Sequence, residues 1–167
     1  MPIARPLLTC AAAIVLLAAA PAHPPSGTPV LLQAQPGTPL DQAARALMAQ
    51  ELAAARAAGE KPLLLLGTAR LGGERPALFV QLQSPRQCGS AGCTTSVYAW
   101  EHGGWKRVLD GTSGQLTVAS SHSHGMADLL ANDEHYVWTG TEYRDTRPAP
   151  AVDLRPHTAR HRPAHSR

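Results

Sequence analysis

The 167-residue sequence has few aromatic side chains and few cysteines, and it lacks several motifs that identify enzymes. Phe79 is its only phenylalanine. No Gly-x-Ser-x-Gly nucleophile elbow, Glu-x-x-His motif or carboxylate pair with an evident acid and base role is present. These absences disfavour an enzyme without excluding one, because catalytic groups can come from distant parts of a chain. We therefore expect a non-enzymatic protein that needs no cofactor.

The positive charge of the chain is concentrated at its C-terminal end. From Arg144 onward six arginines face two aspartates, whereas residues 61–143 carry six basic and seven acidic side chains. The net charge of +3 therefore belongs to the tail, and the remainder is close to neutral. A basic tail can contact membrane surfaces or acidic polymers, but the N-terminus predicts export and an exported protein seldom meets nucleic acid, so we expect no nucleic-acid partner.

The N-terminus has the pattern of a secretory signal peptide. Arg5 precedes an apolar run over residues 7–20, which ends at an Ala20-Pro21-Ala22 cleavage site. A membrane-spanning helix needs about 20 apolar residues, so this run is short for a span. The pattern predicts cleavage after Ala22, a periplasmic or secreted protein, and no stable membrane insertion afterwards. A retained N-terminal anchor is the alternative.

Composition divides the chain after the signal peptide into three parts. Residues 23–37 are rich in proline and glycine and are typical of a linker. Residues 38–146 contain the apolar patterns and are predicted to form a single domain. Residues 147–167 contain several prolines and arginines with little apolar bulk, which predicts a disordered basic tail.

A helix is predicted at the start of the domain. Thr38 can cap it, Pro39 suits its first position, and Asp41 lies three residues after the cap. Gly59 is a helix stop. Apolar residues recur between these limits at helical spacing, so one face of the helix should pack on a sheet.

Short β-type segments follow, separated by glycine-containing turns. The turns fall at residues 72–75, 102–104, 121–125 and 139–140. Sequential hairpins without intervening helices favour an antiparallel sheet. We therefore predict an α+β fold in which one N-terminal helix packs on a meandering antiparallel sheet of roughly six strands.

Most of the aromatic residues lie in the later β-type segments. They are Tyr98, Trp100, Trp105, Trp138 and Tyr143. They are expected to build much of the core, and any that remain exposed would form a protein-binding patch.

Two cysteines, Cys88 and Cys93, enclose only four residues. Cys10 would be removed with the signal peptide, which leaves this single pair in an oxidising compartment. A structural zinc site needs four ligands, and a thioredoxin-type centre needs Cys-x-x-Cys at a helix N-terminus. The pair has neither arrangement, so we predict a disulfide bond between Cys88 and Cys93.

The four enclosed residues are the candidate partner-binding loop. They are Gly89, Ser90, Ala91 and Gly92. A disulfide makes such a loop rigid, and a rigid loop is either a structural staple or a surface presented to a partner. The sequence leaves both alternatives open.

Two histidines, His122 and His124, are weak candidates for a metal site. Alternate residues of a strand share one face, so the two rings could bind one ion. Asp128 or His102 would have to supply a third ligand. A periplasmic metal-binding protein is therefore the alternative function.

The signal peptide, the helix on an antiparallel sheet and the stretch "CGSAGCTTSVYAW" together resemble the periplasmic inhibitors of vertebrate-type lysozyme. In that family a loop closed by Cys-x4-Cys lies between strands and enters the lysozyme cleft. The resemblance implies an exported binding protein that inhibits an envelope-targeting enzyme such as lysozyme. The family's loop carries polar and charged residues, whereas residues 89–92 are small and uncharged. The remainder resembles small exported bacterial domains of unknown function.

Overall fold

The computed structural model describes residues 26–132 and 134–147. The predicted signal peptide, its cleavage site after Ala22 and residues 148–167 of the predicted tail lie outside the described residues. The elements in chain order are β1 (Gly27–Pro29), α1 (Pro39–Leu47), α2 (Ala49–Ala57), β2 (Leu63–Gly72), β3 (Arg75–Gln83), β4 (Cys88–Gly89), β5 (Gly92–Glu101), β6 (Gly104–Ser113), β7 (Leu116–Ser123), β8 (Met126–Ala131), β9 (Glu134–Trp138) and β10 (Tyr143–Asp145). Neither described helix is long and apolar enough to cross a membrane.

The α+β class and the antiparallel pairing are confirmed, and all four predicted turns join antiparallel neighbours. The predicted number of strands is wrong, since the described residues form ten strands rather than about six. Two of the additional strands, β1 and β4, are only three and two residues long. Strands of two or three residues are too short to show an alternating hydrophobic pattern, and they are defined only by backbone pairing with another segment.

The prediction that the helix is the N-terminal element is also wrong. Strand β1 precedes it and pairs with β7, with Gly27 opposite Ala119 and Pro29 opposite Thr117. Composition assigns these residues to a linker, and Val30 is buried in the core. Proline and glycine are compatible with an edge strand, which is why composition alone does not distinguish the two cases.

The helical segment consists of two helices that meet at Met48. The Thr38 hydroxyl accepts a hydrogen bond from the Asp41 amide at 3.1 Å, and Pro39 occupies the first helical position, as predicted. Asp41 also accepts from Arg45 at 2.9 Å. These contacts start α1 beside β2, and α2 ends at Ala57, with Ala58 as its C-cap immediately before Gly59.

The strands form two sheets. Sheet A has the spatial order β1-β7-β8-β9-β10. In sheet B, β2 lies beside β3, and β5 lies between β3 and β6, while β4 pairs with the first residues of β5. The chain passes from sheet B to sheet A between β6 and β7, so the two sheets are halves of one folded meander.

Two core clusters give the molecule three layers. One cluster lies between the sheets and includes Phe79, Val97, Leu129 and Trp138. The other lies between the helices and the opposite face of sheet B, where Met48 and Leu52 meet leucines of β2 and β3 together with Tyr98. Sheet B is therefore the central layer, covered on both faces.

The predicted aromatic residues divide between core and surface. Tyr98, Trp138 and Tyr143 are buried, and Trp105 packs at the edge of the helix-side cluster. Trp100 is 42% exposed and contacts Trp105 edge-on at a centroid distance of 5.1 Å.

Candidate functional site

The disulfide predicted between Cys88 and Cys93 is present and closes the β4–β5 hairpin. The two cysteines are opposite each other in the register, as are Gly89 and Gly92, so Ser90 and Ala91 form the turn. Beyond the disulfide, the Thr94 amide donates to the Gln87 carbonyl at 2.8 Å. The hairpin is therefore held by both a covalent bond and main-chain pairing.

The four residues enclosed by the disulfide are all exposed. Gly92 has a φ of 105°, which favours glycine, and a Cβ on it would lie 3.3 Å from the Gly114 nitrogen. Gly92 thus lies close to the β6–β7 connection, while Ser90 and Ala91 are exposed at the turn. We call residues 89–92 the hairpin tip.

A polar groove of about 320 Å³ adjoins the hairpin tip. Ala91 forms part of its rim, and its other walls come from the end of β6 and the start of β9. These lining residues are Gly111, Thr112, Ser113, Asn132, Glu134 and Tyr136. Strands of both sheets therefore contribute to one surface beside the tip.

Three side chains form a hydrogen-bond network in this groove. The Tyr136 hydroxyl donates to Glu134 and lies 3.0 Å from the Thr112 hydroxyl, and the Thr112 hydroxyl donates to Glu134 at 3.2 Å. Burial, followed by the hydrogen bond to the Glu134 carboxylate, raises the pKa of Tyr136 to about 12. Tyr136 is therefore a protonated donor to this network at neutral pH, and the partly exposed group of the groove is the Glu134 carboxylate, which also lies 3.6 Å from the Arg147 guanidinium.

The sequence does not predict this network. Glu134 and Tyr136 are two residues apart on β9, so strand alternation could have placed them on one face. Thr112 comes from the other sheet, however, and only the folding of the meander brings it to them. No local pattern identifies that contact.

The structure does not bring the two candidate metal ligands together as strand neighbours. His122 lies in β7, where its Nδ1 is 3.1 Å from the Ser120 carbonyl oxygen. His124 lies in the turn with a φ of 50°, so strand alternation does not apply to it, and its Nδ1 is 2.8 Å from the Trp138 carbonyl oxygen. Within residues 26–132 and 134–147, no three His, Cys, Asp or Glu side chains are arranged to hold a metal ion.

Asp128, considered as a third ligand, belongs to a different cluster. It is 3% exposed on β8, and its Oδ2 accepts from the Ser121 hydroxyl at 2.6 Å and lies 3.2 Å from His135 Nε2. Burial raises the pKa of this carboxyl, but hydrogen bonds from Ser121, Ser123 and His135 together hold it below its ordinary value. In a Ser-His-Asp triad the imidazole lies between the other two groups, whereas here the carboxylate does.

Ser121 lies in an irregularity of β7. Three residues of β7 between Val118 and His122 face a single residue of β8, Asp128. The displaced strand brings the Ser121 hydroxyl over the carboxylate, which explains how a charged group is buried on this sheet.

Comparison of the sequence with protein-family models and curated proteins, and of the structure with solved structures, finds no match. Fold and site therefore define this chain only by class: a three-layer α+β domain that presents a disulfide-closed hairpin beside a polar groove.

Proposed function

We propose that this protein is an exported, non-enzymatic binding protein whose hairpin tip engages another protein of the cell envelope. The observation that carries the proposal is the exposure of all four tip residues on a hairpin fixed by a disulfide. A rigid exposed turn loses little conformational entropy on binding, which favours recognition.

The chemistry of the tip suits entry into a cleft. Its residues carry no charge and little bulk, so contact depends on shape, on main-chain groups and on the Ser90 hydroxyl. The adjoining groove adds the partly exposed Glu134 carboxylate as a polar contact for the rim of a partner. Small protruding turns of this kind can reach a concave surface that a flat sheet cannot.

Inhibition of an enzyme that attacks the envelope is the activity we propose for this tip. The likeness to inhibitors of vertebrate-type lysozyme supports it through the spacing of Cys88 and Cys93 and through their position between strands. The differing loop composition means that the enzyme bound need not be lysozyme itself.

An assay of cell-wall lysis by vertebrate-type lysozymes, with and without this protein, tests inhibition. Capture of proteins from an envelope extract tests binding. Ala91→Trp places a bulky side chain on the tip, and we expect it to abolish inhibition or capture without loss of stability. Thr141→Trp is the matched control, because Thr141 is also exposed but lies in the β9–β10 turn.

Two outcomes would contradict the proposal. One is the absence of inhibition and of any captured protein with the unmodified chain. The other is a partner that binds Ala91→Trp and the unmodified chain equally, which would assign the hairpin a structural role alone.

A further inference from the structure

A second groove, of about 530 Å³, lies between the edge strands of the two sheets and away from the hairpin tip. One wall is β1 with the chain that follows it, and the other is the middle of β2. The lining residues are Thr28, Pro29, Val30, Leu31, Gln33, Gln35, Gly67, Thr68, Ala69, Arg70 and Val118.

The chain itself closes one end of this groove. After β1 it crosses from sheet A to sheet B directly over Gly67, where a Cβ would lie 2.8 Å from the Leu31 carbonyl oxygen. Gln33 then pairs with Leu66 through two main-chain hydrogen bonds of 2.9 and 2.8 Å. The edge of β2 is thus paired at Leu66 and becomes free beyond Gly67.

The free part of β2 directs main-chain groups into the groove. The Leu66 amide and carbonyl point away from β3, toward Gln33, and alternate residues of a strand direct these groups to the same side. The amides and carbonyls of Thr68 and Arg70 therefore also point away from β3. In the described part of the chain no strand pairs with them on that side.

The opposite wall is also a strand edge. The Ser26 carbonyl accepts from the Ser120 amide, and the Val30 amide donates to the Leu116 carbonyl. Main-chain groups of alternate residues point to the same side, so those of Thr28 also point toward β7. Pro29 therefore directs its carbonyl away from β7, and it has no amide hydrogen to offer.

The groove has an apolar floor and a single charge. Ala69 and Val118 are partly buried side chains of the core between the sheets, and Leu31 is 74% exposed. Arg70 is the one charged lining residue, and its contact with Glu74 at 3.4 Å joins two largely exposed side chains. Such a surface pair holds the guanidinium only weakly.

We propose that this groove binds an extended peptide segment of another protein, which adds a strand to the free edge of β2. The Thr68 and Arg70 main chain would pair with the peptide, and apolar side chains on one face of it would cover Ala69 and Val118. Because Arg70 is the one charged lining residue and its exposed pair with Glu74 is weak, the complementary peptide carries a carboxylate near Arg70. This site uses none of the hairpin-tip residues.

The test uses a synthetic seven-residue peptide of alternating threonine and valine that ends in glutamate with a free carboxyl group. A second peptide ends in lysine amide. On titration, we expect the NMR signals of the Thr68 and Arg70 amides to shift and to gain protection from hydrogen exchange. Thr68→Pro removes one donor at an edge position where proline is tolerated, and it should weaken binding by about tenfold.

Two further variants complete the experiment. Arg70→Glu should reverse the preference between the two peptides, and Asp145→Pro, which places proline on the edge strand β10, should leave binding unchanged. The proposal is overturned if neither peptide shifts these amides at millimolar concentration, or if the shifts fall at the hairpin tip. Concentration-dependent self-association that Thr68→Pro abolishes would also overturn it, because the occupant would then be a second copy.

Discussion

Sheet B is covered on both faces, whereas the described residues cover sheet A on one face only. On β3, Leu78 faces the helices and Phe79 faces sheet A, and both are fully buried. On β9, Tyr136 faces the core, while Val137 points outward and is half-buried. Burial is therefore continuous over residues 77–80 of β3, whereas along β9 the half-buried Val137 lies between buried Tyr136 and Trp138.

The difference also decides where a charged strand residue can be buried. The outward face of sheet A has room for Asp128, whose charge is balanced by hydrogen bonds from two serines and His135. On β3, the corresponding positions are filled by tightly packed apolar side chains. The polar side chains that sheet B buries, such as Thr95, Ser96 and Thr112, are uncharged.

The largest expected effects come from truncating both faces of β3. Phe79→Ala should lower the free energy of unfolding by about 3–5 kcal/mol and Leu78→Ala by about 2–5 kcal/mol, because each leaves a cavity in a different core cluster. On β9, Val137→Ala should cost less than about 1 kcal/mol. Urea unfolding followed by circular dichroism measures these values, and a small loss for either β3 variant would contradict the three-layer account.

Removing the buried carboxylate of Asp128 should cause the next largest loss of stability. Asp128→Ala should lower the free energy of unfolding by about 1.5–3 kcal/mol, because the hydrogen bonds that Ser121 and His135 make to a charged group are lost. Ser120→Ala, on the same strand irregularity, is the control, since its hydroxyl contacts only Ser26 among the described residues.

The same carboxylate makes a pH prediction. Because the folded-state pKa of Asp128 is lowered, its contribution to stability is present above the ordinary pKa near 4 and is lost as pH falls through the folded-state value. Unfolding curves between about pH 5 and pH 2 should therefore converge for the unmodified chain and Asp128→Asn. Parallel curves over that interval would show that Asp128 is not stabilised as a carboxylate.

The disulfide should contribute about 2 kcal/mol, as expected for closing so small a loop. Replacing Cys88 and Cys93 together by serine should lower the unfolding free energy by that amount while both sheets persist. Hydrogen exchange should then increase at residues 88–94 and remain unchanged in β3. Loss of protection throughout sheet B would mean that the disulfide supports the core as well as the tip.

The smallest effect concerns the helical cover of sheet B. Thr38→Ala removes the acceptor for the Asp41 amide and should cost about 1 kcal/mol. Thr38→Ser, which keeps the hydroxyl, should restore most of it. Equal losses for the two variants would indicate that the methyl group rather than the cap is important.

Local chemistry made part of the fold predictable. Thr38, Pro39 and the glycine-containing turns act through neighbouring residues, so the start of α1 and the four hairpins could be located from sequence. Strand β1 could not, because its pairing with β7 joins segments about 90 residues apart and leaves no local pattern.

The candidate site was predictable to the same limited extent. The spacing of Cys88 and Cys93 identified the disulfide, because both thiols lie within one short stretch of the sequence. The contact of Thr112 with Glu134 and Tyr136, and the meeting of Asp128 with His135, depend on how strands are ordered in two sheets. Strand alternation gave a misleading expectation for His124, because a turn with positive φ interrupts the strand there.

The central claim, that the hairpin tip is a binding surface, is tested most directly by photo-crosslinking. A photoreactive amino acid at Ser90 and the same group at Thr141 would each be irradiated in an envelope extract. We expect a discrete protein adduct from position 90 that position 141 does not give and that an excess of the unmodified chain suppresses. No adduct at position 90, or the same adducts at both positions, would contradict it.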